Sequence, residues 1–88
     1  MVAFQIFITD SAQKELDELP WKQKQMIEDR IERLADDPRP VGCVALHGKR
    51  FKGLHRIRSG NYRIIYQVQD ASLTVSVVKV GDRKEVYD

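Results

Sequence analysis

The 88-residue chain is 42% hydrophobic and 32% charged with three prolines, a composition that excludes a disordered chain and fits one small domain spanning residues 1–88. Its lone Cys43 cannot form an internal disulfide, and no apolar run approaches the ~20 residues of a membrane helix. The start, MVAFQIFITD, lacks the basic segment and long apolar core of a signal peptide, so a cytoplasmic protein is expected. The net charge of +2 hides an uneven spread: residues 1–46 hold six basic and nine acidic residues, whereas residues 47–66 hold six basic and no acidic one.

In chain order, Phe4, Ile6 and Ile8 alternate with Ala3, Gln5, Phe7 and Thr9, a period of two that predicts a first strand. The apolar residues on both of its sides imply cover on both faces. Asp10 or Ser11 is positioned to cap a helix carrying Ala12, Leu16 and Leu19 on one stripe. Pro20 ends that helix and opens a second, expected from Trp21 to Ala35, with Ile27, Ile31 and Leu34 facing inward and Lys24, Glu28 and Glu32 outward. Trp21 and Met26 read as packing residues of this helical hairpin. The Asp36-Asp37-Pro38-Arg39-Pro40 stretch stops the second helix.

Strand-like sequence then dominates. Val44–Leu46 is a short candidate strand, followed by a basic, flexible segment over residues 48–53. Leu54–Arg58 and Tyr62–Gln69 flank the hairpin signal Ser59-Gly60-Asn61, and a further turn leads to Leu73–Val80. Gly81-Asp82 is read as a final turn into residues 83–88. Strand, helical hairpin and then antiparallel strands in a small twisted sheet make an α+β fold.

If Gly60-Asn61 forms the turn, Ser59 lies opposite Tyr62, Arg58 opposite Arg63, Ile57 opposite Ile64 and Arg56 opposite Ile65. Alternation then projects Arg56, Arg58 and Arg63 from one face, and Ile57, Tyr62, Ile64, Tyr66 and Val68 from the other, toward the helices. A register shifted by one residue remains open on sequence. Guanidiniums gathered on one face repel each other unless a polyanion sits there. Beside Lys49, Arg50 and Lys52, the cluster points to phosphate binding, since the arginine fork grips a phosphate with two parallel hydrogen bonds.

The stretch from Leu54 to Tyr66, together with Val80-Gly81-Asp82-Arg83-Lys84-Glu85-Val86-Tyr87, resembles the RelE family of the RelE/ParE toxin superfamily, and the likeness extends over nearly the whole chain. The resemblance implies a RelE-like fold and a bacterial toxin that enters the ribosome and cleaves mRNA in the A site, with no metal or cofactor. The 2′-hydroxyl attacks the neighbouring phosphate, leaving a 2′,3′-cyclic phosphate and a free 5′-hydroxyl. The family's catalytic positions fall on Arg56, Arg58, Arg63, Arg83 and Tyr87. Arg63 and Arg83 are expected to stabilise the phosphate oxygens, and Arg56 and Arg58 to position the strand. Tyr87 stacks on a base or moves a proton, with tail packing as its alternative role. Arg56 and Arg58 stand where some members have lysines, and no C-terminal histidine is present, which leaves Glu85 as a second candidate for the general base. Lys49, Arg50, Lys52 and His47 are candidates for RNA or ribosome contacts, while His55 falls on the core side and reads as structural.

Two separated histidines and one cysteine make no zinc set, and the glycines match neither a phosphate-cradling loop nor a dinucleotide fingerprint. Ser59 and Ser76 lack partners for a hydrolytic triad. Two other readings stay open: a gyrase inhibitor of the ParE branch without nuclease activity, and a simple nucleic-acid-binding module. The implied partners are a RelB-like antitoxin that covers the basic surface or displaces the tail, the ribosome with its mRNA, and operator DNA through the antitoxin complex.

Overall fold

The computed structural model describes residues 3–82. The expected α+β architecture is observed: β1 (Gln5–Ile8), α1 (Asp10–Asp17), α2 (Trp21–Arg33), β2 (Val44–Ala45), β3 (Leu54–Ser59), β4 (Tyr62–Gln69) and β5 (Thr74–Asp82). The strands form one five-stranded sheet in the order β1-β5-β4-β3-β2. β1 runs parallel to β5, and every other neighbouring pair is antiparallel.

Both helices lie on one face, α1 over β5 and α2 over β3. Their buried stripes, Ala12 and Leu16 from α1 and Ile27 and Ile31 from α2 with Leu34 just beyond, meet Ile57, Ile64, Tyr66, Val75, Val77 and Val80 of the sheet. Ile6 and Ile8 of β1 pack at the margin of this core, but Phe7 is 54% exposed, so β1 is covered on one face rather than two.

The α1 cap lies one residue earlier than expected. Thr9 has extended backbone, and its Oγ1 accepts from the Ala12 N–H at 3.2 Å, which makes Asp10 the first helical residue. Pro20 stands at the N-cap of α2, with the helix beginning at Trp21. Trp21 and Met26 are 68% and 50% exposed, which corrects their reading as packing residues. The basic segment after β2 contains a single 3-10 turn, Lys49–Phe51.

Gly81 and Asp82 are not a turn. They continue β5 opposite Arg63 and Tyr62. The strand absorbs one extra residue, Val78, where the register shifts between Ile65/Lys79 and Tyr66/Val77, and a bulge of this kind bends a strand without ending it. Glu15 of α1 holds this region, taking the Val80 N–H at 3.1 Å on one carboxylate oxygen and the Lys79 ammonium at 2.7 Å on the other.

Candidate active site on the open sheet face

The β3–β4 hairpin sets the site. Gly60 has φ +61° and Asn61 is not among the residues with positive φ, the signature of a type II′ turn whose first central residue must tolerate the left-handed region. This two-residue turn fixes the register expected from sequence: Ser59 faces Tyr62, Arg58 faces Arg63, Ile57 faces Ile64 and Arg56 faces Ile65. Arg56, Arg58 and Arg63 therefore share the face turned away from the helices, while Ile57, Ile64 and Tyr66 enter the core.

The three arginines differ in depth. Arg58 is exposed near the hairpin end, Arg56 is half-buried, and Arg63, on the central strand between β3 and β5, is only 5% exposed. The face is thus open at Arg58 and closed over Arg63. Ile65 on the same side is also fully buried, outside the cluster that packs against the helices. Lys49, Arg50, Lys52 and His47 are all exposed in the segment that leads into β3, and the Arg50 guanidinium lies 5.6 Å from the centre of the Phe51 ring. Arg83, Glu85 and Tyr87 lie outside the described residues.

Backbone directions along β3 explain how Arg58 is held. Leu46 N–H donates to the Leu54 carbonyl, so the even-numbered residues of β3 turn their peptide groups toward β2. β2 is two residues long and pairs only with His55 and Arg56. The Arg58 carbonyl lies beyond its reach, and there Arg30 of α2 donates to it from Nη2 at 3.2 Å. Sequence reasoning missed this contact, and a lone cationic residue on a helix carries no signal for it.

At the far end of β4 a second polar group anchors the loop between α2 and β2. The buried Tyr66 hydroxyl donates to the Pro38 carbonyl at 2.7 Å. Cys43 Sγ lies 3.2 Å from the same oxygen. Burial, reinforced by the bond to Cys43, pushes the Tyr66 hydroxyl far above its ordinary range. His55 stacks on Tyr66 with ring centres 5.7 Å apart, which fits its expected structural role. Burial lowers the His55 pKa, and the neighbouring Arg39 charge lowers it further. Arg39 itself grips Asp70 through two hydrogen bonds of 3.1 and 2.7 Å. Those bonds hold the Asp70 carboxyl below its ordinary range and raise the Arg39 guanidinium.

With this geometry in view, the comparisons decide the family. The family model for the ParE toxin of type II toxin–antitoxin systems (parDE) matches residues 6–87. The chain belongs to this family. A putative RelE-like toxin protein of Escherichia coli is 28% identical over 87 residues, covering 97% of this chain and 90% of that one. Among solved structures, the toxin–antitoxin complex RelBE2 of Mycobacterium tuberculosis superposes with a TM-score of 0.84 at 25% identity, covering 94% of each chain. The isolated RelE toxin of E. coli gives 0.76 at 26% identity, over 91% of this chain and 84% of that one. The protein is thus a toxin of the RelE/ParE superfamily with a RelE-like fold. Among its described residues, no helix is long and apolar enough to cross a membrane.

Proposed function

We propose that this toxin is a metal-independent endoribonuclease that cleaves mRNA in the ribosomal A site. The observation that carries the reading is the direct pairing of Arg58 with Arg63 on the face that also bears Arg56, turned away from the helices and fed by an exposed basic segment. Two guanidiniums side by side on one face present forked N–H donors, and an RNA phosphate is the acceptor that such forks fit with paired hydrogen bonds.

In the proposed reaction the 2′-hydroxyl loses its proton to a base and attacks the adjacent phosphorus. The bond to the 5′-oxygen breaks, and a proton reaches that leaving oxygen. Arg63, in the least hydrated position, stabilises charge on the non-bridging oxygens together with Arg83. Arg56 and Arg58 hold the strand in line, and Lys49, Arg50, Lys52 and His47 contact flanking RNA or the ribosome. Arginine stays protonated throughout and cannot serve as the base. Proton transfer therefore falls to Tyr87 or Glu85.

The expected silencing partner is a RelB-like antitoxin covering the basic face or displacing the tail, in a complex that also engages operator DNA. The solved M. tuberculosis relative is itself a toxin–antitoxin complex. A second reading is favoured by one observation, the match to the ParE family model: inhibition of gyrase without nuclease activity. The test adds the purified toxin to ribosomes stalled on mRNA and maps new 5′ ends, with a gyrase supercoiling assay alongside. A-site cuts without loss of supercoiling support the nuclease. No cut by the folded protein overturns it, and loss of supercoiling then establishes the second reading.

A further inference from the structure

We infer that Arg30, on the helical layer, is a positioning residue for Arg58: its guanidinium reaches the β3 edge and holds the Arg58 main chain so that the Arg58 side chain meets the RNA phosphate. This rests on the nuclease reading for its consequence, and on the geometry alone for its mechanism.

Four observations converge. The peptide groups of Leu54, Arg56 and Arg58 all face the β2 side, and β2 ends before it reaches Arg58. The Arg58 carbonyl is therefore an open edge acceptor, and Arg30 Nη2 supplies the donor a longer β2 would have supplied. Arg30 is half-buried on α2 and lines the same depression as Leu34 and Ile57, two fully buried core residues, which narrows the space open to its side chain. Finally, Arg58 lies two residues from the turn, where a hairpin has little other restraint, and it is the most exposed of the three arginines on the open face.

The bond joins the two layers, a side chain on the helical layer acting on the backbone of the proposed phosphate-binding residue Arg58. Without it the carbonyl turns to water, which satisfies it, so the folded state loses little. What changes is the spread of positions the Arg58 guanidinium samples, and positioning of this kind enters the rate more than the affinity.

The experiment compares wild type, Arg30→Ala, Arg30→Lys, Arg58→Ala and the double variant Arg30→Ala/Arg58→Ala. In each, the Arg58 Nε–Hε NMR signal of the ribosome-free protein is read where Arg58 is present. Cleavage on stalled ribosomes at saturating toxin, the half-saturating concentration and Tm are also measured. Arg30→Ala is expected to shift and broaden the Arg58 signal and to lower saturated cleavage about tenfold. The half-saturating concentration should stay within about twofold and Tm within a few degrees. Arg30→Lys, which retains a charged donor, should restore most of the rate. In the Arg58→Ala background, removing Arg30 should have no further effect. An unmoved Arg58 signal in Arg30→Ala overturns the inference whether or not the toxin is a nuclease. So does an undiminished Arg30→Ala effect in the Arg58→Ala background. If the signal moves but wild type cuts nothing, the nuclease reading fails and the positioning contact stands.

Discussion

Arg58 and Arg63 are directly opposed, and because Arg58 turns its peptide groups toward β2, they form a non-hydrogen-bonded pair with side chains close together. As a general scale, two like unit charges at about 6 Å would repel by roughly 0.7 kcal/mol in bulk water and roughly 3 kcal/mol at an effective dielectric of about 20. Arg58 is exposed and Arg63 has a further interaction of its own, so the lower end applies, about 0.5–1 kcal/mol. Arg58→Gln keeps much of the side-chain bulk and leaves the Arg30 bond to the backbone intact while removing the charge. It should therefore stabilise the free toxin and raise Tm by about 3–6 °C at low salt. Because the Debye length falls from about 30 Å at 0.01 M salt to about 3 Å at 1 M, the gain should largely vanish at high salt. Calorimetry across that salt range, with cleavage assayed in parallel, is the measurement. The same substitution should reduce cutting by an order of magnitude or more. A Tm that is unchanged or lowered at 0.01 M, or a gain indifferent to salt, refutes the claim that this pair stores repulsion for an anionic ligand.

Arg63→Ala should behave oppositely. Truncating this buried side chain empties a site on the central strand, costing about 1–3 kcal/mol in urea unfolding, and cleavage should fall about 100-fold to 1,000-fold. Tyr66→Phe removes the 2.7 Å bond to the Pro38 carbonyl and should cost about 1–3 kcal/mol by the same method, with A-site cleavage unchanged. His55 is depressed below its ordinary 6.5, so the unfolded chain binds its proton first as pH falls. Stability should therefore drop as pH falls below about 6.5, until the folded-state pKa is passed, and His55→Phe should flatten that limb in urea titrations read across pH.

The parts of the fold that were legible in the sequence are local. A two-residue turn with glycine at its first central position leaves one natural pairing for Arg56, Arg58 and Arg63, and period-two alternation then assigns their face. The helical stripe of Ile27, Ile31 and Leu34 was legible for the same reason. What escaped depends on partners distant in sequence. Nothing in residues 5–8 announces that they pair in parallel with residues 74–77. Gly81-Asp82 has turn chemistry, yet the bulge at Val78 and pairing with Tyr62 and Arg63 keep it in the strand. Alternation marks Arg63 as facing away from the helices, but not as buried, because local periodicity does not say which strand lies at the centre of the sheet. Trp21 and Met26 lie on α2 but off the Ile27–Ile31 stripe, and apolar character alone did not reveal it.

The graded burial of the arginines bears on how labour is divided in the proposed reaction. A guanidinium in the poorly hydrated centre of the sheet exerts a stronger field on a phosphate than one in open solvent, because less water screens it. Arg63 fits charge stabilisation in the transition state, where field strength counts. Arg58, exposed and near a turn, fits capture and alignment of the substrate. Arginine as a side chain is a poor proton acceptor in water near neutral pH. The sheet can thus hold and polarise a phosphate but cannot by itself activate a 2′-hydroxyl. In the proposed reaction the acid or base is Glu85 or Tyr87, which follow β5 in the chain. An antitoxin would then have two independent routes to silence: occupying the arginine face, or removing the segment that brings the proton-transfer group to it.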